Sequence, residues 1–236
     1  MTAKRRGQGA AQPDRGFPRR TAASGAARAS YRRWTVILVS ALVVFLLALF
    51  ALASIFFAYR EGQKTYDDVA EEAFLPDSSL SDVPGATLAD LSVDWDALLA
   101  VNPDTVGWIC IPGTNVNYPI VRAPESDSDK YLTVDFQGNS GGWWQPTYGT
   151  PYLLAQNAAD FSDRNNIVQG HHLQNGEMFA AIADFADAEQ FNAHRTVYLL
   201  TPAGNWRLQS VSLVHCSGSE PIVQTKFESD AAFTSY

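Results

Sequence analysis

Apolar and polar positions divide this chain into three regimes. Up to Arg33 there is no apolar period. From Trp34 to Tyr59 come 26 residues without a formal charge, dominated by Leu, Val, Ile, Phe and Ala. Beyond Arg60 the apolar residues arrive in short bursts, punctuated by Gly, Pro, Asn and Asp. The first regime, residues 1–33, predicts a disordered tail, because too little apolar surface is present to offset the entropy of ordering. The second, residues 34–59, predicts a transmembrane helix. At about 1.5 Å per residue it exceeds a hydrocarbon core ~30 Å thick. Trp34 and Tyr59 stand at its ends, as interfacial aromatics do.

The third regime begins with a stalk, residues 60–90. Glu61 to Phe74 suits a short helix leaving the membrane, and Pro76, Ser78, Ser79, Ser81, Pro84 and Gly85 then make a linker. Residues 91–236 form the remaining domain. Asp94 to Ala100 reads as a short helix ended by Asn102-Pro103. Gly107 to Gly113 and Val116 to Val121 read as two strands across a Pro-Gly turn. Tyr131 to Phe136 reads as helical or irregular, and Gly138 to Gly149, with Trp143-Trp144, as a loop. Thr150 to Ala155 and Asn166 to Gln169 are further strands. Met178, Phe179, Ile182 and Phe185 share one face of a helix. Thr196 to Thr201 and Asn205 to Val214 make a hairpin over Pro202-Ala-Gly204, and Ser229 caps a last helix over Phe227 to Tyr236. Many short strands with few short helices predict a mainly β, barrel-like domain with peripheral helices.

Charge adds a topology. Nine Lys/Arg and one acid, Asp14, lie in residues 1–33; the chain totals are 17 basic and 25 acidic, leaving eight basic against 24 acidic beyond the tail. The basic flank predicts a cytoplasmic N-terminus and an external C-terminal domain. It also suits weak contact with anionic lipid heads. The acidic domain argues against nucleic acid as a partner. Ala51-Leu52-Ala53 resembles a signal-peptide cleavage site, but the apolar run continues past it, so an uncleaved anchor is the reading. Two cysteines, Cys110 and Cys216, are too few for a disulfide scaffold and leave one bridge open. The four histidines, His171, His172, His194 and His215, lack clustered thiolates or carboxylates at ligand spacing, so no metal or other cofactor is expected.

Candidate chemistry centres on Asn166-Ile-Val-Gln-Gly-His-His-Leu-Gln-Asn-Gly-Glu-Met-Phe179. A histidine just past a strand end is held by a rigid sheet and titrates near neutral pH, which suits proton transfer. Three segments carry a resemblance. Asn102 to Val121 looks like the first strand pair of class B sortases. Asp163 to Phe179 resembles their catalytic-histidine segment, and Phe191 to Gly204 their next strand. The resemblance spans roughly Leu91 to Tyr236.

It implies a sortase-like β-barrel and a membrane-anchored cysteine transpeptidase of a Gram-positive cell surface. Such enzymes cut sorting signals of exported proteins through a cysteine thioester. They pass the acyl group to a cell-wall-precursor or pilin amine. The family's histidine maps to His171, with His172 a loop neighbour. The family's cysteine closes a late strand of the type Thr-Leu-Ser-Thr-Cys, followed by a strand that begins with arginine; neither pattern occurs here. Cys216 falls too early, in the strand before the family's helical connection. Cys110 lies in the first strand, and Arg195 and Arg207 also fall in earlier elements. The expectation is therefore a sortase-like domain incomplete at its C-terminus, ending before the nucleophile. The alternative is a catalytically inactive, membrane-tethered binding domain or a pseudogene product.

Overall fold

The computed structural model describes residues 23–75, 91–141, 148–217 and 223–236. The Trp143-Trp144 pair and most of the stalk linker lie outside these residues. Two compact units are present, residues 1–51 and residues 52–236.

One helix, α1 (Ala23–Ala73), carries the whole apolar run. It contains a segment long and apolar enough to cross a membrane. It starts inside the tail expected to be disordered. Ala23, Ala26, Ala27 and Ala29 are strong helix formers, and extending an existing helix avoids the cost of a new nucleus. Its C-terminal part is not a free stalk, since Tyr66, Val69, Ala70 and Ala73 are buried.

After a two-residue pair, β1 (Phe74–Leu75) with β2 (Ser92–Val93), helix α2 (Trp95–Val101) begins. Asp94 caps it by accepting from the Ala97 N–H at 3.0 Å. The main sheet is built from β3 (Thr105–Cys110), β4 (Asn117–Arg122), β5 (Tyr152–Leu153), β6 (Val168–Gln169), β7 (Thr196–Thr201) and β8 (Gly204–Gln209). Their spatial order is β6-β5-β4-β3-β7-β8. All pairs are antiparallel except β4 with β5. Short helices α3 (Lys130–Thr133), α4 (Ala180–Ala183), α5 (Ala188–Ala193) and α6 (Asp230–Ser235) lie between and after the strands. The result is a curled, mainly β half-barrel with peripheral helices.

The internal strand β4 holds Pro119, a residue that cannot donate to a ladder. Val121 N–H donates to Pro151 O at 3.0 Å and Ala123 N–H to Leu153 O at 3.3 Å, so odd-numbered amides of this strand face β5. Pro119 is the odd position just before that ladder starts, where no donor is needed. Trp108, Ile120, Val121, Tyr131, Phe136, Tyr152, Leu153 and Leu200 are buried with at most 1% exposure and form the centre of the core.

Several expected elements are shorter than their pattern. The Met178–Phe185 helix is a single α-turn, Ala180–Ala183, followed by a 3-10 turn, Asp184–Ala186. The hairpin's second strand stops at Gln209 rather than Val214. Ser210 N–H still reaches Arg195 O at 2.8 Å. Beyond it β7 has no residues left to pair with, and residues 211–217 run exposed outside any strand.

Candidate active site

Strand β6 delivers His171 through Gly170, as its position after an apolar pair predicts. The loop that follows folds back on itself. His171 O accepts from the Phe179 N–H at 2.8 Å, Gly176 N–H closes a turn onto Leu173 O at 3.1 Å, and His172 bridges Met178. Closure requires Met178, fully buried, to take φ 58, a left-handed conformation that ordinary side chains seldom adopt. Tyr118 on β4 holds it there. Its hydroxyl accepts from the Met178 N–H and donates to Glu177 Oε2, both at 3.0 Å. Asn115, in the β3–β4 turn, donates to Gly176 O.

Among the described residues the half-buried His171 ring makes one hydrogen bond, Nε2 to Leu132 O at 2.6 Å. A carbonyl can only accept, so Nε2 carries a proton. In the neutral ring the free lone pair is therefore on Nδ1. Among the described residues no carboxylate and no thiol hydrogen-bonds to this ring. Beneath it lies Gly149, at φ +59, whose missing Cβ would stand 2.6 Å from Tyr131 O and 2.8 Å from His171 Cδ2. Only glycine lets the ring settle onto this backbone. The arrangement can accept or deliver one proton at Nδ1 with a fixed ring plane.

The other candidates are elsewhere. His172 is exposed on the loop. His194 follows α5 as its cap, donates from Nδ1 to Pro112 O at 2.9 Å and stacks on Phe185. His215 is exposed in the run that follows β8. Both cysteines are free thiols. Cys110 is buried, and burial pushes its thiol up to about 11, the wrong direction for a thiolate. Cys216 is exposed and makes no hydrogen bond to His171. Arg195 donates to Ser210 O and Arg207 to Thr196, binding the β7–β8 edge to itself.

The residues that sequence reasoning passed over are Tyr66, Tyr118, Tyr148 and Gly149. No local motif marks them, because Tyr66 and Gly149 meet across 83 positions of chain. The sheet also leaves an apolar cleft of about 370 Å³, lined among others by Ile109, Ile120, Val168, Leu199 and Trp206. Val168 is three residues before His171, so the cleft adjoins the strand that carries the histidine.

This fold has counterparts among solved proteins. Sortase B of Bacillus anthracis in complex with AAEK2 superposes with a TM-score of 0.60 and 27% identity, covering 75% of this chain and 77% of that one. A Staphylococcus aureus sortase B–substrate complex gives 0.54 and 25%, covering 60% and 62%. In sequence, sortase B of Listeria monocytogenes is 25% identical over 177 residues, 75% of this chain and 67% of that protein. Sortase B of Staphylococcus aureus is 25% identical over 142 residues, 60% of this chain and 55% of that protein. This chain thus matches little more than half the length of the second relative. No family model matches. The fold and these likenesses define a class B sortase-like protein.

Proposed function

We propose that this domain supplies the histidine of a sortase-type cysteine transpeptidase site that acts on peptide sorting signals of exported proteins. The observation that carries the reading is His171 itself, at the end of β6 with Nε2–H bound to Leu132 O and Nδ1 open. In the proposed cycle a thiolate attacks the scissile carbonyl. His171, as imidazolium, protonates the departing amine. As neutral imidazole it then takes a proton from the incoming wall-precursor or pilin amine, which attacks the thioester. An arginine would stabilise the tetrahedral oxyanion.

Neither Cys110 nor Cys216 serves as the nucleophile in this reading. The first is walled in with a raised pKa, and the second stands in the exposed run after β8. Arg195 and Arg207 are likewise committed to the β7–β8 edge. Among the described residues no thiol and no arginine hydrogen-bonds to the His171 ring. The basic tail and the apolar helix support a location on the outer face of the cell membrane, with a single span as anchor.

The test begins with sequencing the source DNA through and beyond the codon for Tyr236, then expressing the frame found there. That protein is incubated with pooled sorting-signal peptides from the source organism's exported proteins and with hydroxylamine, which traps an acyl-enzyme as a hydroxamate. Hydroxamate should form, persist in Cys216→Ala and fall at least ~100-fold in His171→Ala. Loss in Cys216→Ala overturns the nucleophile assignment. Near-normal turnover in His171→Ala removes the histidine from the mechanism. No hydroxamate with the parent protein favours a tethered binding domain without chemistry.

A further inference from the structure

The C-terminal stretch of α1, residues 52–73, belongs to the same compact unit as the half-barrel. Its contacts converge on the histidine. The Tyr66 hydroxyl donates to Gly149 O and accepts from the Phe136 N–H at 3.2 Å, with Thr150 Oγ1 also 3.2 Å away. These partners lie on the two segments that His171 touches. Gly149 forms the floor under the ring. Phe136 ends the segment whose Leu132 carbonyl accepts from Nε2, and Thr150 ties both segments together through Val134 O at 3.1 Å.

A second tie runs to the loop. Asn175 donates to the Tyr148 hydroxyl at 2.7 Å, and that hydroxyl donates to Tyr59 O at 2.9 Å. Tyr59 is the last residue of the uncharged apolar run. The Tyr66 ring lies at 90° to Tyr118, which holds Met178, and stacks on Tyr148. Close approach is possible because position 62 is glycine. A Cβ there would lie 2.3 Å from the Tyr148 ring.

We propose that Tyr66, on the helix that leaves the membrane, is a positioning residue for His171, and that docking of this helix at Gly62 sets the ring's tautomer and orientation. This rests on His171 being the proton-transfer group, but its physical content does not. A hydroxyl that satisfies Gly149 O and Phe136 N–H at once fixes the distance between the ring's floor and the ring's acceptor. Without it, Leu132 O is free to drift from Nε2, and the neutral ring redistributes its proton between the two nitrogens.

The experiment uses the full chain in lipid nanodiscs with ¹⁵N-labelled histidine. NMR reads the tautomer of each ring, and loss of one signal set in His171→Gln assigns it. His194 is the internal control, because its Nδ1–H is held by Pro112 O through different elements. Two variants perturb the tie independently. Tyr66→Phe removes only the hydroxyl. Gly62→Ala blocks the close approach although alanine favours an isolated helix by ~1 kcal/mol.

In the parent chain His171 should show the Nε2–H pattern. In both variants its two nitrogen shifts should converge toward their average, while those of His194 stay unchanged. An unchanged His171 in either variant overturns the proposal. So does a joint change of His171 and His194, which would make Tyr66 and Gly62 general fold determinants. The readout needs neither thiolate nor peptide, so it can fail while the transpeptidase reading stands, and the reverse.

Discussion

Replacing Gly149 by alanine tests the central geometric claim, that the His171 ring rests on a backbone no side chain tolerates. The new Cβ would stand 2.6 Å from Tyr131 O, 2.8 Å from His171 Cδ2 and 3.1 Å from Leu132 O. Two of these atoms are backbone and cannot swing away. Tyr131 O also accepts from the Thr150 N–H at 2.9 Å, so displacing it strains a second contact. The left-handed backbone at φ +59 adds about 1–2 kcal/mol for an L-residue. A weakened hydrogen bond adds about 1 kcal/mol. With the steric shift, the total is about 3 kcal/mol. For a urea slope of about 2 kcal/mol/M, that lowers the unfolding midpoint by roughly 1.5 M. The matched control is Gly138→Ala. Its φ is +88, but nothing lies within 4 Å of the added Cβ, so only the backbone cost remains. The assay is urea unfolding of the full chain followed by tryptophan fluorescence. Equal midpoints for the two variants, or a Gly149→Ala chain as stable as its parent, would refute the contact geometry under His171.

Tyr118→Phe should cost about 1–3 kcal/mol, because it strands the buried Met178 N–H; faster amide exchange at Met178 with unchanged exchange in β7 is the accompanying sign. Asp163 should govern an acid-side loss of stability. Lys226, the Ala158 N–H and Asn157 hold its carboxyl at about 2, below the ~3.9 of an unfolded chain. Its contribution is complete above the unfolded value and fades as pH falls toward 2. The urea midpoint of Asp163→Asn should therefore be lower than the parent's at pH 6 and converge with it near pH 2; a constant gap across that range counts against the assignment. A thiol-reactive dye should titrate one cysteine in the native chain, the exposed Cys216, and two in denaturant, since Cys110 is buried with its thiol raised to about 11. Native reaction of both would show that β3 is more open than described.

The long apolar helix, the β3–β4 pair, the β7–β8 hairpin and the loop bearing His171 were all legible in the amino-acid sequence. Each is specified by neighbours in the chain: an uncharged apolar run, a period-two burst, a Pro-Gly turn, a glycine after a strand. Ser229 was legible as a cap for the same reason, because a side chain three residues upstream of an amide is a local fact. Other features depend on partners far along the chain and left no local trace. The Val211–Val214 pattern suits a strand but has no residues of β7 to pair with, so it stays unpaired. Residues 60–73 look like a polar stalk, yet Tyr66 and Gly62 press them onto Gly149 and Tyr148. The position of His171 just past a strand end was legible from its segment, while the side of the ring that carries the proton was not. That choice depends on Leu132 O, 39 positions away, and on the aromatic and glycine contacts that bring it within 2.6 Å. Local pattern determines which elements form and which residue types they present. Tertiary packing alone decides the hydrogen-bond partner of His171, and with it which ring nitrogen carries the proton.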